Sequence, residues 1–204
     1  MATNQEYAYL AEDAYKTLEP GIRDLKKLKP RVVGGREYFV LEHADYRGTH
    51  DYQGTIYMDA QTHEIIVAHR GTWSVSDVGI DLEMIRRQSN RQLPHAMALV
   101  EHAKALAERW NSYNPNEQVP NISVTGHSLG GSLAQVSSQM YGLKGVAFDP
   151  GGAENLMHAA VFKQFARTHQ LPERGLGVPY DFENYIVRGS GVSHYSGGHL
   201  GHTK

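Results

Sequence analysis

The residues in this chain best suited to chemistry are a serine set between glycines and several histidines downstream of it. The serine stands in Val124-Thr125-Gly126-His127-Ser128-Leu129-Gly130-Gly131. Ile122 and Val124 before it alternate with polar neighbours, the period of a half-buried strand. Leu133, Val136 and Met140 after it recur at helical spacing. A serine carried on so sharp a strand-to-helix turn takes a strained backbone conformation, and its flanking positions need residues with little or no side chain. The turn lifts the hydroxyl clear of the sheet. It also aims the first helical N–H groups, that of Leu129 foremost, at charge developing beside it. Ser128 therefore reads as a nucleophile. A serine hydroxyl is a poor nucleophile at neutral pH, so it needs a base within hydrogen-bond reach, usually a histidine oriented by a carboxylate.

The Gly-His-Ser-Leu-Gly-Gly wording resembles the class 3 lipase family of α/β-hydrolases, of bacterial lipase or phospholipase type. A second stretch, Ile65-Ile66-Val67-Ala68-His69-Arg70-Gly71-Thr72, is similar to the strand of that family that ends in Arg-Gly-Thr or Arg-Gly-Ser. The resemblance runs from about Tyr38 to Val192, with both motifs in the family's order. It implies a lipid or carboxylic ester substrate, and it implies that the Thr72 N–H is the second oxyanion donor beside that of Leu129.

In that superfamily the chain order is serine, acid, histidine. For the acid, Asp149 closes a predicted strand 21 residues after Ser128, at the C-terminal end where such sheets carry their sites. Phe148-Asp149-Pro150 also resembles the Leu-Asp-Pro of the pancreatic lipases. Class 3 lipases place their acid one strand later, where this chain has Ser190 in Asn184-Tyr185-Ile186-Val187-Arg188-Gly189-Ser190-Gly191-Val192. Either Asp149 has taken the role or the site lacks its acid. For the base, His199 is the candidate by elimination among the tail histidines, with His194 as the alternative. Tyr195–Gly201 resembles a Tyr-x-His-x-Gly stretch whose histidine the class 3 lipases usually leave out of catalysis, their base coming tens of residues later. A C-terminal segment missing from this chain is the other explanation. His127 is expected to point away from the serine. His194, His199 and His202 also invite a metal-site reading, which is weaker because no acidic residue stands among them. No metal and no cofactor is expected.

Composition sets outer bounds. At 204 residues the chain is expected to form one domain over 1–204, long enough to bury a substantial core. A net charge of −2 makes no electrostatic case for nucleic acid. With no cysteine there are no disulfides and no thiolate chemistry. The first twenty residues are too polar for a Sec signal, and no apolar run is long enough to span a bilayer. The expected location is the bacterial cytoplasm, or outside it by a route without a signal peptide. Peripheral contact with a membrane surface fits a lipid substrate; oligomeric state is not legible.

The elements that must position the site follow from periodicity. Thr3-x-x-Glu6 predicts a capping box, opening a helix to about Pro20. Residues 22–35 read as a surface loop. Strands are predicted at Glu37–Glu42, Tyr52–Met58 and Glu64–Arg70, the last two a hairpin. Trp73–Gln92 lies where related lipases carry a lid, and is charged, with only Val78, Ile80 and Met84 to give it an apolar face. Pro94 suits the first turn of the next helix. A loop at Asn111–Pro120, a helix over Ala153–Ala166, a loop at Pro172–Pro179 and a strand at Phe182–Arg188 complete the pattern, the Gly- and His-rich tail Gly189–Lys204 having no convincing helix. The expected fold is an α/β-hydrolase sandwich: a mostly parallel sheet, an antiparallel hairpin near its start, and helices on both faces. The function expected is serine-dependent ester hydrolysis through an acyl-enzyme on Ser128. The alternative is an impaired hydrolase fold kept as a lipid-binding or protein-interaction module, to which Ser190 points.

Overall fold

The computed structural model describes residues 1–16, 18, 28–46, 51–71, 82–169, 181–189 and 197–204; at 82–88, 90 and 161 only the backbone is described. Thr72, Ser190 and His194, residues 73–81 of the expected lid and the Pro172–Pro179 loop lie outside the described residues; the rest of the expected lid, 82–92, begins the helix α2. The elements are α1 (Asn4–Asp13), β1 (Arg31–Val33), β2 (Arg36–Asp45), β3 (Gln53–Asp59), β4 (Ile65–His69), α2 (Leu82–Tyr113), β5 (Ile122–His127), α3 (Leu129–Tyr141), β6 (Lys144–Phe148), α4 (Glu154–Met157), α5 (Ala160–Thr168), β7 (Phe182–Tyr185) and β8 (His202–Thr203).

Among the described residues, β1 to β8 form one sheet, in the order in which the chain makes them. The pairings from β1 to β4 are antiparallel and those from β4 to β8 parallel. Parallel register brings His69, His127, Phe148 and Tyr185 to a common edge. Strand alternation sorts the core into two faces. Ile65, Val67, Val124 and Ala147 point toward α2 and α3, packing with Met97, Val100, Leu133 and Val136. Ile66, Ala68 and Val146 point the other way, onto Tyr7, Leu10 and Ala14 of the α1 segment. Helices thus cover both faces, and the expected α/β-hydrolase sandwich is the observed fold.

Several boundaries differ from those expected. The capping box forms, with Thr3 N–H donating to Glu6 and Glu6 N–H to the Thr3 hydroxyl. But α1 ends at Asp13, because its bonding tightens: Tyr15 and Lys16 donate three residues back, to Glu12 and Asp13. The Asp13 carboxylate is meanwhile held by Arg31 at 2.7 and 2.8 Å and by the Tyr57 hydroxyl at 3.0 Å. Arg31 belongs to β1, a strand inside the expected loop 22–35, joined to β2 through Gly34 and Gly35 at φ 58° and 84°. Pro94 lies inside α2 and not at its start. The helix continues through it because Leu93, Ala96 and Met97 are fully buried on both sides of the proline, and this packing outweighs one lost hydrogen bond. At its other end α2 runs to Tyr113, into the expected loop. The helix expected over Ala153–Ala166 breaks at Ala159, whose ψ of 142° is extended. β7 is shorter than expected, and the tail contributes β8, an edge strand whose sequence lacks any alternation.

Candidate active site

β5 runs between β4 and β6, and α3 follows it after a single residue, Ser128. The Ser128 backbone sits at φ 54° and ψ −125°, a region costing non-glycine residues about 1–3 kcal/mol. Its N–H donates to the Phe148 carbonyl at 3.0 Å, so β6 holds the turn. Three glycines leave the space the turn needs. A Cβ on Gly126 would lie 2.3 Å from the Gly130 oxygen. One on Gly130 would lie 2.1 Å from the His69 oxygen, and one on Gly71 would lie 3.3 Å from Ser128 Cβ. The end of β4 is therefore pressed against the serine. The hydroxyl of Ser128 is buried (4% exposed), and no hydrogen-bond partner for it exists among the described residues. Leu129, fully buried, opens α3, where the first N–H groups lack intrahelical acceptors and the helix dipole is positive.

Two polar clusters fix this edge from opposite faces. On the α3 face, His69 is wholly buried, with Nδ1 2.9 Å from the Tyr52 hydroxyl and Nε2 3.3 Å from that of Ser137. Burial lowers its pKa to about 3, so the ring is neutral and links β3, β4 and α3. On the α1 face, Nδ1 of His127 lies 2.9 Å from the Tyr15 hydroxyl, and the Arg70 guanidinium lies 5.3 Å from the centre of the Tyr15 ring. Burial lowers the His127 pKa, with the Asp149 charge pulling it weakly upward. The residue as a whole is exposed, while its Nδ1 faces the Tyr15 hydroxyl. His127 thus turns toward α1 and not to the serine hydroxyl, as expected.

Asp149 follows β6 at the same edge, half-buried, at φ 43°. Its N–H donates to the Tyr185 oxygen at 2.7 Å, and its Oδ1 accepts from Val187 N–H at 3.3 Å. His199 is placed elsewhere. The carbonyl of Gly198 accepts from Glu154 N–H at 3.0 Å, and Leu200 N–H donates to Gln135 Oε1 at 2.7 Å. Gln135 is seven residues beyond Ser128, about 10 Å down α3 at 1.5 Å per residue. Gln135 Nε2 and the Ser132 hydroxyl both donate to the Gly151 carbonyl, so α3, the turn after β6 and the tail are tied together. The structure brings Ser128, Leu129, Gly71 and Asp149 to one edge. The Ser128 hydroxyl bonds to no described residue, His199 included, and the residues on either side of His199 are tied to α4 and to the middle of α3. Asp181 lies at the opposite edge, paired with Lys144 at 2.6 Å. Sequence reasoning passed over Tyr15, Gly71 and Gln135 as residues of this neighbourhood. Gly71 stood inside the quoted motif, but nothing local marks Tyr15 or Gln135.

A family model described as "Phospholipase-like: Tle-like phospholipase domain" matches residues 6–194. No curated protein matches the chain. Among solved structures, the Lip2 lipase from Yarrowia lipolytica superposes with a TM-score of 0.54 at 16% identity, over 98% of this chain and 77% of that one. A triacylglycerol lipase from Penicillium expansum gives 0.51 at 15% identity, over 98% and 74%. At such identities these two show the fold. Among the described residues no helix is long and apolar enough to cross a membrane.

Proposed function

The chain belongs to the Tle-like phospholipase domain family, and from that premise we propose that it hydrolyses carboxylic esters of phospholipids through an acyl-enzyme on Ser128. The observation that carries this is the Ser128 turn. A strained serine, whose buried hydroxyl has no partner among the described residues, stands at the start of α3 and against Gly71. A structural serine would be expected to bond its hydroxyl to the protein.

In the proposed reaction Ser128 Oγ attacks the ester carbonyl carbon and loses its proton to a histidine. The oxyanion accepts from the N–H groups of Leu129 and Thr72, which strengthen as charge develops. Collapse breaks the bond to the alcohol, which leaves with the histidine's proton. Water, deprotonated by the same histidine, then releases the fatty acid and restores Ser128. We assign the base to His194 in preference to His199. Val187, before the 190–196 connection, donates to Asp149, and Gly197, after it, lies against Gly152. His194 is three residues from Gly197, within about 10 Å of extended chain. Asp149 is the carboxylate available at that edge to orient it. Residues 1–204 act as one unit in this proposal, working at a membrane surface.

The test is labelling by a fluorophosphonate, with fatty acid release from phosphatidylglycerol or phosphatidylethanolamine vesicles measured in parallel. Both are expected in the wild type and absent in Ser128→Ala. Vesicle binding without labelling or release would favour the second reading, an inactive lipid-binding module, for which Ser190 at the class 3 acid position speaks.

A further inference from the structure

Tyr15 takes no part in the chemistry above, yet its hydroxyl stands where the two halves of the site meet. It lies 2.9 Å from Nδ1 of His127, the residue before the serine. It also takes a backbone hydrogen bond from Gly71, the residue before Thr72. The approach is close. A methyl group on Gly71 would stand 2.3 Å from the Tyr15 oxygen and 2.6 Å from the His127 carbonyl oxygen. A phenol carries a single proton. With Gly71 N–H donating to its oxygen, that proton goes to His127 Nδ1, leaving the imidazole neutral and protonated on Nε2. The Arg70 guanidinium over the ring adds a cation–π contact that holds the phenol in place.

Gly71 also needs something to hold it. Without a side chain its dihedrals are the softest in the segment, and the peptide that follows it carries the Thr72 N–H. We propose that Tyr15 is a positioning residue whose hydroxyl clamps the Arg70–Gly71 peptide to the Ser128 turn, so that the strand end from which Thr72 follows is held against the serine. This rests on the role given to Thr72 above. The clamp is supplied from the turn after α1, an element otherwise remote from the chemistry.

Tyr15→Phe deletes the hydroxyl alone and keeps the ring under Arg70. With a soluble short-chain ester, kcat per folded molecule is expected to fall roughly tenfold while KM stays within about twofold, as when an oxyanion donor is loosened and not removed. By nitrogen NMR, with His127 assigned through the signal missing in His127→Gln, its Nδ1 is expected to lose the hydrogen-bonded acceptor shift. Amide exchange at Gly71 is expected to accelerate at least about tenfold. An unchanged kcat overturns the proposal, and so do an unmoved Nδ1 shift and an unmoved Gly71 exchange rate. A merely structural role would lower the thermal midpoint and leave kcat per folded molecule alone, which also overturns it. If the wild type turns over no ester and Ser128 takes no probe, the hydrolase reading falls. The NMR and exchange results then decide the clamp by themselves, shifted values upholding it and unmoved values overturning it.

Discussion

Ser128 separates two kinds of neighbour, those that touch the reacting atoms and those that shape the turn. The first kind is tested at the base. His194→Ala is expected to abolish fluorophosphonate labelling. His199→Ala, whose neighbours Gly198 and Leu200 are bonded to Glu154 and Gln135, is expected to slow it less than about tenfold. The reverse ranking would return the role to His199. Asp149→Asn is expected to leave the thermal midpoint nearly unchanged and to cut the labelling rate, by up to ~10⁴-fold if the carboxylate fixes the histidine tautomer. Undiminished labelling would reduce Asp149 to the residue that turns the chain after β6. The second kind is tested at Gly130. Its missing Cβ is replaced by the His69 carbonyl at 2.1 Å, which is backbone and cannot rotate away. Gly130→Ala is therefore expected to push α3 from β4, costing about 2–4 kcal/mol in denaturant titration and removing labelling with it.

Among the elements, α2 carries the plainest conflict between local and tertiary preference. Pro94 cannot donate to the carbonyl four residues back and crowds it, which in an unsupported helix costs about 3 kcal/mol. Packing holds the helix together, with Leu93, Ala96, Met97 and Val100 all fully buried against the sheet and α3. Because Pro94 itself is only half-buried, Pro94→Ala restores the bond without opening a cavity. The expected gain is about 1 kcal/mol, seen calorimetrically as a rise in the thermal midpoint of roughly 2–4 °C. A fall would mean that the helix bend at Pro94 is needed to seat its N-terminal half. The same contest explains β1 and β8. Three and two residues long, they carry no usable alternation, and exist because β2 and β7 offer them open edges.

For the whole molecule, buried ionisable groups set the response to acid. Burial holds the His69 pKa near 3, against about 6.5 in an unfolded chain. Between those values the unfolded state binds the extra proton, so stability is full above pH 6.5 and is lost as pH falls toward 3. The loss from this residue is roughly 4–5 kcal/mol at most. Asp13 adds to it at lower pH. Burial raises its pKa, but hydrogen bonds from Arg31 and Lys16 outweigh this and hold it below the ordinary value. Its contribution is present above about pH 4 and disappears below. Urea titrations from pH 7 to 3 should therefore show stability rising with pH, and His69→Gln should flatten the slope between pH 6 and 4. An unaltered slope would mean that His69 is not the group that resists protonation.

The Ser128 turn and the central strands were legible in the chain itself, because residue type and period are local. Gly126, Gly130 and the apolar run Ile65–Ala68 declare a tight turn and a two-sided buried strand through residue type and period alone. An α/β sandwich followed from strands alternating with helices, and the resemblance to the class 3 lipases implied its hydrolase form. Which residues stand around the serine was not legible in this way. Tyr15 is 112 residues from His127, and Gln135 is 65 from Leu200, separations at which no periodicity survives. The tail shows the limit most clearly. Three histidines follow the expected last strand within a short Gly-rich tail, and no local signal ranks them decisively. What separates them is tertiary: the backbone on either side of His199 is tied to Glu154, Gln135 and Asn184, contacts that no local pattern announces.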